Sequence, residues 1–228
     1  MNPQNHSSFN ILSPTLHRAK VHSNRRQRVF FCDDASLSMN EQNKAADAND
    51  AQLRCLQELA LPINKDSFEA AVIHFADQAK TIHALEKVTS LVNHLSPLDP
   101  VKFAGNGTNI TSALELTIQI LKKAESSQAQ DGIFYVRSLC VVLSDGCQNT
   151  GIPPIPVAKE LKQYCDILTI AFGTDADEKM LREIATEQLA IRCRSGAELR
   201  CYFAAIGQTL TATRTSGQPL SMVLLPKL

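Results

Sequence analysis

Apolar residues gather in short unbroken runs that alternate with stretches of helical spacing. Val29 to Cys32 stops at the acidic pair Asp33 Asp34, and Ala70 to Ala76, Leu139 to Leu143 and Ile167 to Phe172 repeat the pattern. Runs of this length predict strands, and unbroken apolar character means that both faces are covered, as in the central strands of a parallel sheet. Leu53, Leu56 and Ala60 recur at i, i+3 and i+7 in a helical stretch ending near Leu61, and Ile110, Ala113, Leu114, Ile118 and Leu121 share one face of a helix that begins near Thr108. Thr81 to Leu95 reads as a strand and a short helix, followed by a loop at Pro97 and Pro100. Pro153, Pro154 and Pro156 open a helix running to about Tyr164. Two capping boxes, Asp175-x-x-Glu178 and Ser195-x-x-Glu198, announce two more helices, with Leu189 to Arg192 as a short strand between them. Strands alternating with helices predict an α/β layer fold with a mostly parallel central sheet.

Composition narrows the function classes. Lys and Arg number 23 and Asp and Glu number 23, so there is no bulk electrostatic pull toward nucleic acid or a membrane surface. At 44% hydrophobic residues the 228-residue chain can bury the core of one medium domain. No apolar run is long enough to span a bilayer, and Met1 to Asn10 lacks the apolar segment of a secretory signal, so the sequence reads as intracellular and cytoplasmic. The seven cysteines are odd in number and form no C-x-x-C pair, which supports neither a disulfide framework nor a zinc site. Residues 1–27 form a basic arm: Arg18, Lys20, Arg25 and Arg26 stand there with His6, His17 and His22 and no acidic residue. A solvated terminus is its simplest reading, with a phosphate or nucleic-acid contact or an organelle transit peptide as the alternatives. Residues 28–213 form the body, and 214–228, apolar at Met222 to Leu225, form a tail that reads as an edge strand or a docked arm.

Ligands of open α/β sheets bind at the carboxyl ends of the strands, where strand order reverses. Asp34, Ser36 and Ser38 stand at the end of the first strand as D-x-S-x-S, Thr108 opens the helix after Gly105 and Gly107, and Asp145 ends the strand Leu139 to Leu143. All five are oxygen donors, the ligand type of hard divalent ions such as Mg²⁺ or Mn²⁺. Alternation in the turn aims Asp34, Ser36 and Ser38 at one point, while Ala35 and Leu37 face elsewhere. Two carboxylates balance the ion's charge and neutral hydroxyls fill the shell without cancelling its pull on an incoming carboxylate. The glycines let the loop carrying Thr108 approach the ion closely. From residue frequencies D-x-S-x-S occurs in roughly one chain in fifteen of this length, so its weight comes from the ordered G-x-G-T-N and L-S-D-G that follow.

That ordered set resembles the von Willebrand factor A family, whose metal-ion-dependent adhesion site reads D-x-S-x-S, then Thr, then Asp. The resemblance implies metal ligands at Asp34, Ser36, Ser38, Thr108 and Asp145 and a Rossmann-like, doubly wound, mostly parallel sheet of six strands, with helices on both faces and the second and third strands joined as a hairpin. Leu37 departs from the family, which often has glycine there. The segment Ile167 to Gly173, the acidic cap, Leu181 to Ala185 and the helix with Tyr202 Phe203 look like bacterial intracellular TerY-type members. These imply a stress or signalling role beside kinases and phosphatases.

Beyond the five ligands, Asp33, Gly107 and Asn109, with Asn149, are candidates for supporting the site from behind. Asp33 points away from Asp34 by strand alternation. His74, on the apolar strand, reads as a core histidine, and Cys147 as a loop thiol at the rim. Two functions follow. In one, the protein is a non-enzymatic adaptor whose bound ion takes a Glu or Asp side chain of a protein partner. In the other, the ion activates water as in a metal-dependent phosphoesterase, but no His, Lys or Glu is expected beside it as a base.

Overall fold

The computed structural model describes residues 24–64, 66–103, 105–126 and 132–216, the side chains of 214–216 excepted. The tail beyond 216 and residues 1–23, with His6, His17, Arg18, Lys20 and His22, lie outside the described residues. The four apolar runs are strands β1 (Arg25–Asp34), β2 (Phe68–Phe75), β5 (Ser138–Ser144) and β6 (Cys165–Phe172). β3 (Ala79–Lys87) folds back antiparallel on β2, while β7 (Ala190–Cys193) adds parallel to β6. The order β3-β2-β1-β5-β6-β7 is the mostly parallel six-stranded sheet, with the two-residue β4 (Phe134–Tyr135) pairing separately with the start of β1.

β5 and β6 are buried along their whole length because helices cover both faces. On one face α1 (Lys44–Leu59) and α7 (Gly196–Ser216) pack on each other and on Val29, Phe31, Val141 and Leu168, with Phe31 stacked on Phe203 at 6.2 Å. On the other, α4 (Ile110–Ser126), α5 (Ile155–Leu161) and α6 (Glu178–Ile184) cover Phe30, Ile73, Val142 and Ile167. The short helices α2 (Val88–Leu91) and α3 (Pro100–Phe103) lie in the connection after β3. Among the described residues no helix is long and apolar enough to cross a membrane.

Four local expectations are corrected. β1 begins three residues before Arg28, because Arg25 and Arg26 pair with β4 and Arg26 and Arg28 meet Glu69, so the end of the basic arm is sheet. The buried stripe of α1 is Ala48, Ala51, Gln52, Cys55, Leu56 and Leu59, with Leu53 off it. The cap of α6 is Asp177, whose Oδ1 accepts from the Met180 amide at 3.0 Å, rather than Asp175. α7 continues to Ser216, past the expected end of the body at 213.

β1 is the pivot of the sheet: β2 lies on one side of it and β5 on the other, and both crossovers leave from this pair. The carboxyl ends of β1 and β5 therefore bound the crevice where strand order reverses, and Asp34 and Ser144 are their last residues.

Candidate metal centre

At the end of β1 the Asp34 carboxylate turns back on its own loop, Oδ1 accepting from the Ser36 amide at 2.9 Å. This Asx-type turn aims the two serines together, and their Oγ atoms lie 3.0 Å apart. Ala35 is buried in the core and Leu37 is 44% exposed, so the alternate residues do face elsewhere. From β5, Ser144 donates through Oγ to Asp34 Oδ2 at 2.6 Å, and Asp145 Oδ1 accepts from Ser38 Oγ at 2.8 Å. Thr108 is buried on the neighbouring loop, its Oγ1 3.5 Å from where a side chain on Gly146 would begin. Asp34, Ser36, Ser38 and Asp145 thus share one hydrogen-bonded cluster, with Thr108 against the turn that follows Asp145.

The loop carrying Thr108 is held from two sides. Asp77, at the turn after β2, accepts from the amides of Gly107 (2.8 Å) and Asn106 (3.3 Å). Asn149 accepts from the Thr108 amide at 2.8 Å, and its own amide donates to the Thr108 carbonyl at 3.1 Å. A Cβ on Gly107 would overlap the Asp77 carboxylate and the Thr150 side chain, and one on Gly105 would overlap Ala76. Asn109 caps α4, accepting from the Ser112 amide at 3.0 Å, and donates to the Asp77 carbonyl, so it anchors the loop without meeting a carboxylate of the cluster. Asp33 faces α1, where Gln52 donates to it at 2.6 Å, and it stands apart from the cluster.

The two neighbouring carboxyls are unlike ordinary ones. Burial pushes the Asp33 carboxyl up to about 7, with the Gln52 bond opposing and the charge of Asp34 adding. Burial likewise raises Asp34 to about 6, resisted by its bonds from Ser144 and Ser36 and reinforced by Asp145.

Three residues at the site went unread in the sequence. Ser144 and Asp77 are positioning groups, and their only local signal is a polar residue closing an apolar strand. The third is a lysine that stands beside the cluster as a donor and not as a base: Lys44 Nζ donates to Asp145 Oδ2 at 2.6 Å, with 6% and 0% of the two side chains exposed. Cys147 is exposed, its Sγ directed at the Asp175 carbonyl, and His74 is buried in β2.

A second group of possible ligands lies on β3 and the segment after α2, where His94 Nε2 is 3.0 Å from Glu86 Oε1 and the His83 and His94 rings are 5.3 Å apart. His83 Nε2 accepts from the Ser96 amide at 2.8 Å, so its one free lone pair is already committed.

The model of the von Willebrand factor type A domain matches residues 29–200. Similar solved structures include BatB from Bacteroides thetaiotaomicron, described as a conserved hypothetical protein, at 20% identity with 84% of this chain and all of that one covered and a TM-score of 0.63. A von Willebrand factor type A protein from Catenulispora acidiphila gives 19% identity over 84% of this chain and 43% of that one, with a TM-score of 0.63. Proximal thread matrix protein 1 of the mussel byssus, with a zinc-occupied MIDAS motif, gives 18% identity over 84% and 47%, with a TM-score of 0.59. The chain spans about half the length of the last two, and at these identities the likeness is one of fold. No curated protein sequence matches significantly.

Proposed function

Because the chain belongs to the von Willebrand factor type A family, whose members commonly mediate metal-dependent protein interaction, we propose that it is an adaptor that captures an acidic side chain of a partner protein through a divalent cation. The carrying observation is the cluster itself, in which residues at and just beyond the ends of β1 and β5 are joined by Ser38–Asp145 and Ser144–Asp34 hydrogen bonds beside Thr108. Its donors are carboxylates and hydroxyls only, which suits Mg²⁺ or Mn²⁺. Asp34, Ser36, Ser38, Thr108 and Asp145 would hold the ion. When bound, it supplies a Lewis-acid position for a carboxylate oxygen.

The protein's own residues prepare that position. Ser144 and the Ser36 amide keep Asp34 oriented, while Asp77 and Asn149 fix the loop that presents Thr108. We read the protein as non-enzymatic: the basic side chain at the site, Lys44, is committed as a donor to Asp145 and is not available as a proton acceptor. Seven free cysteines support a reducing, cytoplasmic setting. The TerY-like segments Ile167 to Gly173 and Leu181 to Ala185 favour a bacterial stress or signalling role with a kinase or phosphatase as partner.

Immobilised protein offered a Glu-bearing test peptide in Mg²⁺, and again in EDTA, tests the reading. Retention that needs the ion and is lost in Asp34→Ala supports it; retention equal in EDTA and in the variant contradicts it.

A further inference from the structure

Lys44 is in an unusual place. It is the first residue of α1, where the helix's exposed amide groups disfavour a cation. Lysine is almost never fully buried without a partner, and its partner here is Asp145, whose other oxygen accepts from Ser38. Two features serve its delivery. Gln42 and Asn43, immediately before it, both adopt left-handed backbone conformations, φ 51° and 61°, which non-glycine residues adopt at a cost. Gly173, at the end of β6 with φ 91°, leaves open the space its stem occupies: a Cβ there would stand 3.3 Å from Lys44 Cε. Backbone strain and a bare glycine thus place one ammonium on one of the two carboxylates of the cluster.

Taking the metal-binding reading as its basis, we propose that Lys44 is a tethered cation that competes with the divalent ion for Asp145 and sets the affinity of the site. In the metal-free protein it neutralises Asp145, so the fold does not depend on an ion. When an ion binds, it meets a site in which one carboxylate is already offset, so it is held more weakly. The loaded site then carries a surplus positive charge that favours a carboxylate as the incoming group. This role predicts an affinity maximum when the lysine charge is removed, which a purely structural ion pair does not.

The test uses the full chain, with Mn²⁺ as the probe, followed by calorimetry and by thermal melts in EDTA and in saturating Mn²⁺. Lys44→Gln keeps a donor for Asp145 without the charge, Lys44→Met removes both, and Lys44→Arg keeps the charge. The expected result is Mn²⁺ binding about tenfold tighter or more in Lys44→Gln and Lys44→Met, with Lys44→Arg close to the parent. Melting temperatures should rise with Mn²⁺ far more in the neutral variants than in the parent. A neutral variant that folds only when Mn²⁺ is present also supports the proposal, since the ion then replaces the missing cation. Equal affinity in the parent and Lys44→Gln overturns it while leaving the metal site standing. A neutral variant that folds in neither condition overturns it in favour of a structural ion pair. Absence of Mn²⁺ binding in every protein, parent included, overturns both this proposal and the reading beneath it.

Discussion

Ser144→Ala removes a single hydroxyl from the end of β5 and leaves the backbone and the covering layers untouched. That hydroxyl is fully buried and donates to Asp34 Oδ2 at 2.6 Å. A hydrogen bond to an ionised carboxylate contributes about 1.5–3 kcal/mol, and deleting one oxygen leaves only a small void behind. For a domain of this size each kcal/mol shifts the melting temperature by about 2–4 °C, so a loss of about 2 kcal/mol lowers it by about 4–8 °C. The pH dependence sharpens the test. Burial already raises Asp34 to about 6, and the Ser144 bond is the strongest influence holding it down. Removing the bond penalises the ionised form more than the protonated one, so the gap between parent and variant opens as pH rises through about 6 and narrows toward pH 5. Chemical denaturation in EDTA at pH 8 and pH 5 measures both gaps. Equal stability at pH 8, or a gap that widens toward acid, would refute the role given to Ser144.

Two further outcomes are expected. His74 is buried and lowered to about 4, chiefly by desolvation and then by the charge of His83. The fold therefore prefers its neutral form, and stability that is complete above the unfolded value near 6.5 is lost as pH falls toward 4, by about 3 kcal/mol in all. His74→Leu should remove this loss in urea titrations at pH 7 and pH 4.5, with the opposite trends of Asp33 and Asp34 common to both proteins; identical acid sensitivity would show that His74 is not its source. Gly107→Ala inserts a methyl where the Asp77 carboxylate and Thr150 stand. It should cost about 1–3 kcal/mol and weaken Mn²⁺ binding by displacing Thr108, whereas unchanged Mn²⁺ affinity would detach the loop from the site.

The strands that carry the site were legible because their signal is local. Val29 to Cys32 and Leu139 to Leu143 are unbroken apolar runs, and a parallel sheet buried on both faces demands such runs. Asp34, Ser36 and Ser38 could be read for the same reason, since strand alternation and a tight turn fix their directions within five residues. Lys44 could not. It sits in the polar stretch after Asn40, and its meaning depends on a carboxylate 101 positions later and on two residues in left-handed backbone. Asp77 and Ser144 are likewise defined by what another segment brings to them. Gly105 and Gly107 mark in the sequence a loop that passes close to something, but the contacts with Ala76, Asp77 and Thr150 come from other segments and are not legible there.

Whether the end of β1 holds a divalent cation is decided by a crystal soaked in Mn²⁺ and measured at the manganese absorption edge. One anomalous peak is expected among the oxygens of Ser36, Ser38 and Thr108, flanked by Asp34 and Asp145. A peak at His83, Glu86 and His94 with none at the end of β1 would contradict it, as would a saturated crystal with no peak at either position.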